Sequence, residues 1–126
     1  MPAEMTDEVR RRRTAMKEFI DNEVIPREHE IEPFDAKGLD VLEALKAEAK
    51  RRDLWALGHP SEIGGGGLPF MDFVLLNEVI GRSEFGQLAV GSMSMQDSIM
   101  LQLYASAEQR ERFLKPLVAG EIYPSV

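Results

Sequence analysis

An all-α fold, an antiparallel bundle of about five helices, is what this sequence predicts, and three observations carry it. Apolar residues recur three and four positions apart along most of the chain. The run Ser106-Ala107-Glu108-Gln109 has the form of a helix-opening capping box. No stretch before Glu121 alternates apolar and polar residues convincingly enough for a strand. Composition agrees with one folded domain: 126 residues, 44% hydrophobic and 29% charged, are ordinary globular usage and enough to bury a core.

The first helix is read over residues 6–25, where Val9, Met16, Phe19, Ile20 and Val24 share helical spacing and Asp7 and Glu8 suit the positive end of the dipole; Pro26 ends it. Arg10 to Arg13 do not make a flat basic face, because consecutive helical residues fan out by about 100°. A solvated helix with a Glu8–Arg12 pair is expected instead. Residues 27–35, polar and containing Pro33, read as a connection. A second helix follows over about 39–52, with Leu42, Leu45 and Ala49 on its inner face and Leu54 and Trp55 at its exit. Pro69 opens a third, with Phe70, Phe73, Val74, Asn77 and Ile80 on one side and Gly81 or Gly86 to close it. Residues 87–104 are apolar on nearly every side, which predicts one central helix. The last helix starts at Ser106, buries Phe113, Leu114 and Leu117, tolerates Pro116 and is capped by Gly120. No internal repeat or linker divides the chain, so residues 1–126 form one unit.

A net charge of -7 repels nucleic acid and polyphosphate, which excludes the first as a partner class. With no cysteine there is no disulfide and no thiolate zinc site, and His29 and His59 lack ligand spacing and read as surface or capping residues, so no metal is expected. No signal-like apolar segment and no run of about 20 apolar residues is present, which points to the cytoplasm and to no membrane partner. The stretch Gly64-Gly65-Gly66-Gly67 raises the question of a phosphate cradle. It lacks the preceding strand and the third glycine of a dinucleotide fingerprint, and the Lys-Ser/Thr of a P-loop, so it reads as a turn. The scattered carboxylates read as solvated helix charge.

Several pieces in order nevertheless form a pattern: Arg13, Phe19-Ile20 and Val24-Ile25-Pro26; Leu54-Trp55-Ala56-Leu57 leading to His59 and the glycines; Asn77 to Arg82; and Tyr104 to Arg110 followed by Phe113 to Glu121. This order resembles the N-terminal helical domain of acyl-CoA dehydrogenases over about residues 6–123. Ala105 departs from it, standing where the family often has glycine and where alanine resists a left-handed backbone. The resemblance implies a fragment of a larger α/β/α chain whose middle β-domain and C-terminal bundle are absent, and an end on Ile122, Tyr123 and Val126 fits a strand cut short.

As the resemblance implies it, the full-length protein uses FAD to remove the α-proton and β-hydride of an acyl-CoA thioester. It passes electrons to an electron-transferring flavoprotein and assembles as a homotetramer or dimer. The catalytic glutamate and the flavin site belong to the missing parts, so no residue here is assigned a catalytic or cofactor-binding role, and the fragment alone is expected to be inactive and colourless. What this domain would contribute is the wall of the acyl pocket, with Leu88, Ala89, Ser92, Met93 and Gln96 as lining residues. The other reading is a self-contained helical module that binds a protein partner without catalysis.

Overall fold

The computed structural model describes residues 4–124, and among them every regular element is helical. Helix α1 (Asp7–Phe19) starts from Thr6, whose hydroxyl accepts from the amide of Val9 at 3.2 Å. Its Val9, Met16 and Phe19 are buried, and the Glu8–Arg12 pair forms at 3.1 Å. The arginines fan out as expected: Arg10 pairs with Asp7, while Arg13 reaches across to the Leu75 carbonyl and to Glu78.

Pro26 does not end the helical path. The backbone widens to i→i+5 bonding over Ile20–Val24, tightens to a 3-10 turn at Ile25–Arg27 and continues as α2 (Glu28–Ile31). The wide turn moves carbonyls away from the proline ring, which lacks the amide that the usual ladder needs. Residues 27–35 are therefore more than a connection, and Ile31 is fully buried. The device recurs later. After α7 (Ala107–Gln109), with the expected box closed by Ser106 N–H to Gln109 Oε1 at 2.9 Å and Gln109 N–H to Ser106 Oγ at 3.2 Å, a wide turn at Arg110–Leu114 precedes Pro116 in α8 (Lys115–Ala119).

Helix α3 (Ala36–Arg51) begins three residues ahead of the expected start because Asp35 caps it, accepting from Gly38 N at 2.7 Å. Helix α4 (Phe70–Ile80) follows Pro69 and buries Phe73, Leu76, Val79 and Ile80; Phe70 is exposed and Val74 only half-buried, so the inner stripe is rotated from the expected one. Gly81 closes it with an ordinary right-handed backbone. Phe113 likewise points outward, and Leu114, Leu117 and Val118 carry the last buried stripe.

The single helix expected over 87–104 is two. A short α5 (Gly86–Ala89) stops at a bend where Gly91 takes φ +68°, and α6 (Met95–Tyr104) restarts beyond it. Ala89 and Val90 lie in the core, but α6 buries only Ser98, and its Leu103 and Tyr104 are 64% and 83% exposed. This half is peripheral, not central. Ala105 adopts an extended backbone, so the turn into Ser106 needs no left-handed residue. The strand expected to begin near Glu121 has no counterpart through Pro124, and Ser125 and Val126 lie outside the described residues.

The main core joins α1, α3, α4 and α5, and a smaller one gathers Ala56, Leu114 and Val118; the Trp55 ring packs against both. Three consecutive carbonyls at the end of α8 are held from α3 and its exit: Trp55 Nε1 donates to Val118 O at 2.9 Å, Lys50 Nζ to Ala119 O at 2.7 Å and Lys46 Nζ to Gly120 O at 2.6 Å. Lys46, 2% exposed, also donates to Glu43 at 2.7 Å and Tyr123 Oη at 2.9 Å, so its three N–H groups are all used. Burial alone would lower its pKa, but the Glu43 and Tyr123 contacts outweigh that and hold it above the ordinary lysine value. Lys46→Met should strand the Gly120 carbonyl and lower stability by about 1–3 kcal/mol in urea unfolding, and an unchanged midpoint would contradict the capping role.

Candidate functional site

The glycine turn sits where α3 hands over to α4. Its amides point at backbone, not at solvent: Gly64 N–H donates to Ser61 O, Gly65 to Pro60 O, Gly66 to Ala56 O, Gly67 to His59 O and Leu68 to Leu57 O, at 2.9–3.1 Å. Gly64 and Gly67 have φ of +94° and +69°. Gly65 and Gly66 are glycine for lack of space: a Cβ on Gly65 would collide with the His59 carbonyl, and one on Gly66 would stand 2.8 Å from Leu57 Cα. A cradle with every amide spent cannot hold a phosphate, and the turn reading stands.

This turn presses His59 inward. Far from being a surface or capping residue, His59 is fully buried between the two sides of the Gly91 bend. Its Nε2 lies 2.8 Å from Gly91 O and its Nδ1 2.6 Å from Ser98 Oγ. The carbonyl can only accept, so Nε2 carries the proton, and in the neutral ring Nδ1 is left to accept from the Ser98 hydroxyl, whose single proton also has the Met95 carbonyl within reach at 2.9 Å. Burial pushes the His59 pKa below the ordinary histidine value, against an upward pull from the Gly91 carbonyl.

Trp55 fills the space beside the bend. A Cβ on Gly91 would lie 2.6 Å from the indole and one on Gly120, at φ +78°, would lie 2.7 Å from it. Trp55, Leu88, Met93, Ile122 and Tyr123 border a cleft of about 20 Å³. That is room for about one water, not for an acyl chain.

The five residues expected to line a pocket are not on one helical stripe, since the bend separates them. Leu88 and Met93 meet at the cleft. Ala89 is fully buried in the core behind them. Ser92 lies in the bend, its Oγ buried and without a hydrogen-bond partner among the described residues. Gln96 stands exposed on α6. Beyond them α6 presents an apolar ridge of Ile99, Met100, Leu103 and Tyr104. Sequence reasoning missed His59 and Gly91; the one signal for the bend was a glycine inside an otherwise helical apolar run.

Among the described residues no three His, Asp or Glu side chains converge on a metal position, and no helix is long and apolar enough to cross a membrane. The glycine amides are all spent on backbone carbonyls, and the cleft beside Trp55 is too small for a flavin.

Comparison with known proteins identifies the fold. The family model for the acyl-CoA dehydrogenase N-terminal domain matches residues 6–121. The chain is 30% identical over 120 residues to acyl-CoA dehydrogenase family member 11 of Rattus norvegicus, covering 86% of this chain and 15% of that one. It is 29% identical over 122 residues to benzylmalonyl-CoA dehydrogenase of Aromatoleum aromaticum, covering 96% and 31%. A solved structure from Mycobacterium abscessus, assigned as an acyl-CoA dehydrogenase, superposes with a TM-score of 0.81 at 29% identity, over 94% of this chain and 33% of that one. The chain thus spans between about a seventh and a third of the length of these relatives. It belongs to the acyl-CoA dehydrogenase family, as an N-terminal domain.

Two outcomes test the junction. Gly65→Ala should cost roughly 3 kcal/mol or more through its collision with His59, and Gly64→Ala only about 1–2 kcal/mol, since there only the backbone conformation is disfavoured; the reverse order in urea unfolding would contradict the packing account. For His59 the unfolded chain binds the proton first, so stability is complete above pH 6.5, the ordinary value, and falls as pH drops from there toward the lower folded pKa. His59→Gln should flatten that slope in pH-dependent unfolding, and an identical slope would contradict it.

Proposed function

We propose that a polypeptide carrying this domain is an FAD-dependent acyl-CoA dehydrogenase that converts an acyl-CoA thioester to its α,β-unsaturated form, and that this domain supplies part of the wall facing the acyl chain. The meeting of Leu88 and Met93 at an apolar cleft beside the bend, with Ser92 between them, carries this reading. Ala89 backs that wall and Gln96 continues it onto α6. Each methylene buried against it stabilises the bound thioester by about 0.8 kcal/mol and displaces water. Methionine at the wall adapts to an irregular apolar ligand through its unbranched side chain.

On this reading the flavin and the base that takes the α-proton come from outside these residues. The whole enzyme passes electrons to an electron-transferring flavoprotein, acts in the cytoplasm and assembles as a homotetramer or dimer. The exposed ridge on α6 is what favours the other reading, a helical module that binds a protein partner without catalysis.

The two separate in one preparation. The full-length polypeptide should purify yellow, with visible flavin absorbance, and oxidise acyl-CoA thioesters; a colourless, inactive full-length protein would favour the interaction module. Within the active enzyme, Met93→Phe and Ser92→Phe should each shift kcat/KM toward shorter acyl groups by about tenfold. An unchanged length profile in both variants would remove the wall assignment.

A further inference from the structure

The attachment of α6 is unusual. A ten-residue helix whose exposed side is apolar would ordinarily turn that side inward, yet the single residue α6 buries is polar Ser98. That hydroxyl is bonded to His59, and the opposite nitrogen of the same ring is bonded to Gly91 on the other side of the bend. The remaining packing is peripheral: Met95 closes over Gly58 beside the Phe73 ring, half-buried Leu101 touches the small core, and α6 lies against the Arg110–Leu114 turn and α8. Between the two bonded points lie Ser92, whose buried hydroxyl has no partner among the described residues, and Met93, 53% exposed. The glycine turn in turn fixes the imidazole, since Gly65 packs directly on His59 and Gly67 N–H bonds its carbonyl at 2.9 Å.

We infer that His59 is the positioning residue of the acyl wall: one imidazole, bonded on either side of the Gly91 bend, sets where Ser92 and Met93 stand against the ligand. This rests on the proposed function for the ligand, and on geometry alone for the latch. His59 touches no substrate; it acts through the bend. The four-glycine turn then has a use beyond reversing the chain, as the backing that keeps the ring in register.

Two variants weaken the latch without emptying the core. Ser98→Ala removes the contact to His59, together with the hydroxyl's contact to the Met95 carbonyl in the first turn of α6, and keeps the ring. His59→Gln places an amide within reach of the Gly91 carbonyl and gives up the Ser98 bond. On this chain, amide hydrogen exchange should speed up by about tenfold over residues 92–104 in both variants, while α1 and α3 keep their wild-type protection. Unchanged protection at 92–104, or an equal loss across all helices, overturns the latch.

In the full-length enzyme, the ratio of kcat/KM for a long over a short straight-chain acyl-CoA should change by about fivefold to tenfold in both variants at equal flavin content. A destabilised fold by itself would lower active enzyme without altering that ratio. A wild-type protein that oxidises no thioester speaks against the functional reading alone, and hydrogen exchange still decides the latch. A wild-type protein that does oxidise thioesters, with an unaltered length ratio in both variants, overturns the positioning role.

Discussion

The fold depends on one indole. Trp55 stands at the exit of α3, packs against both apolar clusters and forces two distant glycines to be glycine, because any side chain at Gly91 or Gly120 would enter the space its ring occupies. Its Nε1 holds the Val118 carbonyl, and Lys50 lies 4.6 Å above the ring. The consequence is geometric. The bend between α5 and α6 and the end of α8 are both set by contact with the same flat surface, so neither can shift without opening a gap that packed interiors do not tolerate. The bend at Gly91 and the cap at Gly120 are thus two results of one insertion.

Around that ring, polar groups do what apolar packing alone cannot. The carbonyls ending α8 are claimed one after another by Trp55, Lys50 and Lys46, which joins the last helix to α3 by directional bonds. His59 does the same for α6. Both arrangements fix a helix by satisfying its backbone or hydroxyl groups from side chains of neighbouring segments, Lys46 and His59 among them fully buried.

Much of this was legible beforehand. Helical periodicity identified α1, α3 and α4, the Ser106–Gln109 box and the Gly120 cap appeared as read, and the turn role of the glycines followed from the absent lysine and strand. The misses share a cause: a local rule met a tertiary constraint. Pro26 is a helix breaker by the local rule, but a widened turn ahead of it lets the helical path continue, and polar neighbours hid the buried Ile31. Residues 87–104 are apolar enough for a central helix, but the indole at Gly91 divides them and leaves the second half at the surface. His59 looked like a surface residue because a lone histidine carries no periodic signal. Its burial follows from two partners, one 32 and one 39 positions away, that no local window contains. For the same reason Ala89 and Gln96, placed with Leu88 and Met93 by helical spacing, stand on different sides of the bend.

Trp55 is the single tryptophan of the chain. Excitation at the red edge of the protein band therefore selects one ring, flanked by a lysine ammonium, a backbone acceptor and the two glycine turns. The colour and anisotropy of its emission give an optical readout of this junction alone, undiluted by signal from elsewhere in the molecule, and so distinguish a loosened seam from a melted domain without any label.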